Sequence, residues 1–144
     1  MLLMDDEELR RRFEDRTLPF AQWTHRMHVR IAYCYLHAHP FDEAVDRIRS
    51  GIKAYNAANA LPEGPTSGYN ETTTVAFLRI IDAVMRTYGK AMPTPDSETF
   101  CEMHPQLLHR ELLRLFYSPA QRMHPDAKVK FVEPDLTGFP TPKN

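Results

Sequence analysis

His25 and His28 stand three residues apart in the segment Trp23-Thr24-His25-Arg26-Met27-His28. On a helix, that spacing sets the side chains roughly 60° apart around the axis and about 4.5 Å apart along it, so both can reach one ion. Neutral imidazole is the commonest ligand for zinc and also suits iron. An open catalytic centre needs a third protein ligand. Glu71, in Gly68-Tyr69-Asn70-Glu71-Thr72-Thr73-Thr74, is the best carboxylate for that place, with Asp135 and Glu102 behind it. A pair of histidines with one carboxylate is the donor set of many open iron and zinc sites. On this reading His25, His28 and Glu71 hold a divalent ion, zinc or iron. Glu71 either completes that set or acts as general base, and Tyr69 and Thr74 orient groups around the ion.

The same residues also have a purely structural reading. Histidines near helix ends satisfy backbone carbonyls. Glu71 suits the first turn of a helix dipole, and Asn70 is a good N-cap. The hydroxyls of Thr72, Thr73 and Thr74 can bond within the first turn. Tyr35, Tyr55, Asn56 and Tyr69 could line one cavity, or the tyrosines could be core residues whose hydroxyls each find a partner. His37, His39, His104, His109 and His124 have no ligand spacing among themselves. There is no Cys-x-x-Cys pair, no phosphate-cradling glycine loop and no Gly-x-Ser-x-Gly elbow.

These residues must be positioned by helices. Asp5 caps a first helix to about Asp15, whose apolar edge is Leu9 and Phe13. Pro19 resets the chain direction. A second helix runs from about Ala21 or Thr24 to Ala38. A third starts at Asp42 and places Ala44, Val45, Ile48, Ile52 and Tyr55 on one face, with Asp46, Arg47, Arg49 and Lys53 toward water. Gly51 lets a neighbour approach closely. Residues 61–69 form a Pro- and Gly-rich loop, either a lid or a connector.

A fourth helix, Glu71 to Tyr88, is apolar around most of its circumference apart from a strip of Arg79, Asp82 and Arg86, and so reads as central, with Gly89 as its C-cap. Asp96 or Ser97 caps a short helix. A fifth long helix starts at His104-Pro105 and carries Leu107, Leu108, Leu112, Leu115 and Phe116. Ser118-Pro119 opens another short helix, and Val129, Phe131 and Val132 suggest a last helical turn. From Glu133 the chain reads as an extended tail. No alternating strands with hairpin turns are found. The class is all-α, a compact bundle of four to five main helices with an extended C-terminal tail.

Trp23-Thr24-His25-x-x-His28, with Tyr69-Asn70-Glu71-Thr72 downstream and Pro134-Asp135-Leu136 near the end, resembles a group of small bacterial and fungal all-helical proteins of unassigned function. Their pattern is Trp-x-His-x-x-His followed by Tyr-His-Glu-Thr. The likeness spans Pro19 to Leu136 and implies no particular activity. Asn70 stands where the pattern has histidine. If that histidine is a ligand, this chain replaces it with a weaker amide oxygen; if it is a cap, asparagine serves equally.

The 144 residues fit one domain, 1–144, and can bury a core without staples. Eighteen basic and nineteen acidic residues leave a net charge of −1, which gives no support to nucleic-acid binding. No apolar run approaches the roughly 20 residues of a membrane span. The N-terminus lacks the features of a signal peptide. Cys34 and Cys101 are expected as free thiols in a reducing cytoplasm. Two functions fit: a small metal-binding protein, which includes a metal-dependent enzyme acting on a small molecule, or a non-catalytic module that binds a small molecule or protein partner around a structural histidine pair. The substrate, the reaction type and the oligomeric state are not encoded in any recognisable motif.

Overall fold

The computed structural model describes residues 4–141. Six α-helices follow in order: α1 (Asp6–Glu14), α2 (His25–Ala38), α3 (Phe41–Ala58), α4 (Glu71–Tyr88), α5 (Ser97–Met103) and α6 (Pro119–Arg122). Short 3₁₀ turns lie at Phe20–Gln22, Pro105–Leu108 and Leu112–Leu115. Among the described residues there is no strand, only an isolated bridge between Gly64 and Ser67. The protein is an all-α bundle, and none of these helices is long and apolar enough to cross a membrane.

Local side chains start most of the helices. The carboxylate or hydroxyl of Asp5, Thr24, Asp96 and Ser118, and the amide oxygen of Asn70, each accept a first-turn backbone N–H. The exception is α3, which begins at Phe41 after Pro40 with no side-chain cap, so Asp42 lies inside its first turn. Gly89 ends α4 in right-handed backbone (φ −56°), not in the left-handed conformation a glycine C-cap uses.

The helix at the centre is α2, not α4. It packs against α1, α3, α4 and α5, and every residue from Val29 to Leu36 is buried. That run includes Arg30, which is 2% exposed. Its Nε donates to Ser97 Oγ at 2.7 Å and its Nη2 to the Met4 carbonyl at 2.6 Å, with Asp6 Oδ1 at 3.4 Å and Glu98 Oε2 at 3.7 Å. Asp6 in turn accepts the backbone N–H and the hydroxyl of Ser97. One buried guanidinium thus joins the starts of α1 and α5 to the middle of α2. A buried charge needs such a complete set of partners.

On the opposite side, Phe13 of α1 stacks on Trp23 at 5.4 Å and meets Tyr35 edge-on at 6.1 Å. Gly51 of α3 lies directly against this ring: a Cβ at Gly51 would come within 2.5 Å of Phe13. The glycine is what lets α3 approach α1. Cys34 and Cys101 are free, buried thiols. Burial pushes them up to about 12 and about 11 respectively, so both stay protonated.

The expected fifth long helix does not form. The chain makes two 3₁₀ turns separated by His109, whose backbone is extended (ψ 115°). The Leu107 carbonyl, which would continue an α-helix, is taken by the His25 ring. Leu107 and Leu113 are buried while Leu115 is 66% exposed, so the leucines serve different surfaces and not one stripe. Val129 to Val132 are not helical either. Lys130 O and Val132 N both bond to the Thr72 hydroxyl, at 3.0 and 3.1 Å. The tail beyond Glu133 is non-helical, bends at residues 135–137 and is anchored. Asp135 accepts the Ser118 N–H and hydroxyl, and Phe139 packs among Phe116, Tyr117 and Phe131.

Candidate functional site

The histidine pair opens α2 as expected, and both rings are hydrogen-bonded to backbone. A carbonyl can only accept, so the bonded ring nitrogen carries the proton in each case. His25 donates from Nε2 to Leu107 O at 3.0 Å and packs edge-on against Phe77 of α4 at 4.9 Å. His28 donates from Nδ1 to Thr24 O at 2.7 Å, and its ring lies 3.8 Å from Trp23. Burial lowers the pKa of both, His28 to about 4, with the Arg110 charge pushing the same way. Both imidazoles are therefore neutral at pH 7.

Glu71 belongs to a different cluster. Its carboxylate is gripped by Arg49 of α3, Nε to Oε1 at 2.9 Å and Nη2 to Oε2 at 2.6 Å. The Tyr69 hydroxyl donates to the same Oε1 at 2.5 Å, and Thr74 bonds to the Tyr69 hydroxyl in turn. The Arg49 bonds hold Glu71 below the usual carboxylate range, while burial and the Glu71 charge raise the Tyr69 phenol. A carboxylate so saturated with donors is a weak base, and a phenol so raised does not ionise near neutrality. Asn70 is the N-cap of α4, its Oδ1 accepting the Thr73 N–H at 2.9 Å. The next N–H groups of α4 are closed by the chain itself: Glu71 N bonds to Lys128 O at 2.9 Å and Thr72 N to Ala127 O at 3.1 Å.

The two helix starts thus share a packing surface, through His25 on Phe77, while their polar groups turn to different partners. No group of three or more His, Cys, Asp or Glu side chains among the described residues is arranged to hold a metal ion. Asp135 is occupied with Ser118, and Glu102 is exposed on α5.

Around Glu71 and Tyr69 opens a cleft of about 760 Å³, walled by α3, the loop before α4 and the segment at Lys128. Arg49, Lys53 and Asn56 line it from one face of α3, at positions i, i+4 and i+7. Lys128 closes the opposite wall and donates to Glu63, to Ser67 O at 2.7 Å and to Tyr69 O at 2.5 Å. Glu63 also accepts the Tyr69 N–H, beside Gly68, whose φ of +84° turns the loop there. Asn56 is 6% exposed and lines the cleft, and among the described residues no buried side-chain polar atom lacks a hydrogen-bond partner.

Comparison with protein-family models, curated proteins and solved structures returned no match.

The placement of the site therefore rests on geometry alone. Asn56 and Tyr69 do line one cavity, as their types suggested, whereas Tyr55 is core and donates to Leu18 O at 2.8 Å, and Tyr35 donates to Glu14 at 2.6 Å. Arg49 and Lys53, read as facing water, face the cleft. Their helical spacing with Asn56 was the available signal. Lys128 had none, because its place depends on how the chain after α6 returns to α4.

Proposed function

We propose that this protein is a non-catalytic helical module that binds a small molecule in the cleft between α3 and α4, with His25 and His28 as structural residues. The observation that carries the reading is the cleft of about 760 Å³ whose lining gathers Arg49, Lys53, Asn56 and Lys128. The largely buried Asn56 lines that volume beside charged groups from α3 and from the segment at Lys128. The histidines fit a structural role because each ring ties the start of α2 to a backbone carbonyl, on Thr24 or on Leu107. The buried free thiols suit a reducing cytoplasm.

A metal-binding reading keeps one supporting observation. Each imidazole donates one nitrogen to a carbonyl and keeps the lone pair of the other, the state in which histidine binds metals. Against a zinc or iron ion stand the nearby Arg110 charge and the engagement of Glu71 by Arg49.

Untagged protein measured for metal content, and melted with and without a chelator, separates the readings. The module reading expects sub-stoichiometric metal, an unchanged Tm, and a His25→Ala, His28→Ala variant that melts lower in both conditions. Stoichiometric zinc or iron that the variant loses would overturn it.

A further inference from the structure

Resting on the cleft reading above, we infer that the ligand is a small organic anion, its carboxylate or phosphate head held by Lys53 and Asn56 and its apolar body against Ala57, Leu61 and Val129. The unused bonding capacity of the cleft selects this class. Both oxygens of Glu71 are engaged, by Arg49 and Tyr69, and each oxygen of Glu63 accepts one bond, from Lys128 or the Tyr69 N–H. A cationic ligand would have to compete with those donors for either carboxylate.

Lys53 is differently placed. Its ammonium lies 5.1 Å from the centroid of the Tyr69 ring, and its charge acts on Glu63 and Glu71 without a direct bond to either. Asn56, one helical turn further along the same face, adds an amide to the lining. Together they offer three ammonium N–H donors and two amide N–H donors against one amide acceptor. The lining residues also carry a net positive charge of one, from Arg49, Lys53 and Lys128 against Glu63 and Glu71. An acceptor-rich, negatively charged head matches both facts. Val129, 76% exposed, and the part-buried Leu61 then supply a wall for an apolar body.

The test titrates four probes of equal length into the full, isotope-labelled chain: hexanoate, hexyl phosphate, hexanol and hexylammonium. Backbone amide shifts of Lys53, Asn56 and Ala57 report the site in the parent and, at the same positions, in both variants. One or both anions should bind about tenfold or more tightly than hexanol, the scale of a charge-assisted hydrogen bond, and hexylammonium should bind no better than hexanol. The preferred anion decides between carboxylate and phosphate. Lys53→Gln and Asn56→Leu should each weaken the anion about tenfold and leave hexanol binding unchanged, with Tm measured to confirm that both variants fold. Equal binding of hexylammonium, or anion binding indifferent to both substitutions, overturns the anionic class. If hexanol or hexylammonium alone reaches Asn56, the cleft stands as a ligand site of another class. If no probe reaches it, the anionic class and the cleft reading both fall.

Discussion

Arg49 on α3 holds Glu71 in the first turn of α4 through two parallel hydrogen bonds, 2.9 Å from Nε and 2.6 Å from Nη2. The pair joins helices 22 residues apart in the chain, and it leaves the Glu71 side chain only 13% exposed. It fixes the cleft wall on which Tyr69 sits. Glu71→Gln keeps the shape and removes the charge. It should cost about 1–3 kcal/mol, the range for bonds to charged groups that are partly buried. Urea denaturation measures this, and an Arg49→Met, Glu71→Gln double variant should lose less than the sum of its single changes.

The same pair sets an acid dependence. Glu71 titrates below its ordinary value when folded, with Arg49 as the main cause. Its contribution is complete above the unfolded pKa of about 4.3 and is lost as pH falls through the lower folded value. Glu71→Gln should therefore flatten the stability curve below about pH 4.5 relative to the parent.

His28 acts in a higher window with the same sign. Burial lowers its folded pKa to about 4, against an ordinary value of 6.5. The unfolded chain takes up the proton first, so stability is complete above pH 6.5 and falls toward pH 4. His25 and His104 are lowered by burial too and add to the slope. His28→Gln should melt lower than the parent at pH 8 and lose part of the decline on acidification, read from Tm across that range. A parent Tm that rises on acidification through this window would contradict the buried, neutral assignment.

Arg30 should be the most sensitive charged position in the bundle. It is 2% exposed and bonds to Ser97 and the Met4 carbonyl beside Asp6. Arg30→Met leaves Asp6 half-buried without its cation and should cost about 3–5 kcal/mol. Arg30→Lys should recover only part of this, since an ammonium cannot reach Ser97 and Met4 with a planar fork. The measurement is the denaturation midpoint of the three proteins at unchanged m-value.

Thr72 holds the end of the chain to α4. Its hydroxyl donates to Lys130 O at 3.0 Å and accepts from Val132 N at 3.1 Å. Thr72→Val keeps the volume but strands both backbone groups, at about 1–3 kcal/mol. The loss should be local as well as global: limited proteolysis should cut between residues 127 and 141 sooner in the variant. Equal cleavage rates would mean that Phe139 and Asp135 anchor the segment without Thr72.

Much of the fold was legible in the sequence because it depends on short-range physics. Asp5, Asn70, Asp96 and Ser118 act as caps, since a cap needs only its own first turn. The extent of α4 and the close approach at Gly51 followed from periodicity and side-chain size. What only the tertiary structure decided is which groups separated in the chain satisfy each other. Leu107 gives its carbonyl to His25, so the stretch after Pro105 turns where its leucines suggested a helix. Arg30 is buried in an apolar helix because Asp6 and Ser97 arrive from other elements to meet it. Glu71 has the right type and position for a ligand or a base, but Arg49 reaches it from α3 and fixes its charge. A side chain's chemistry is set by the residues around it, and those are known only once the helices are packed.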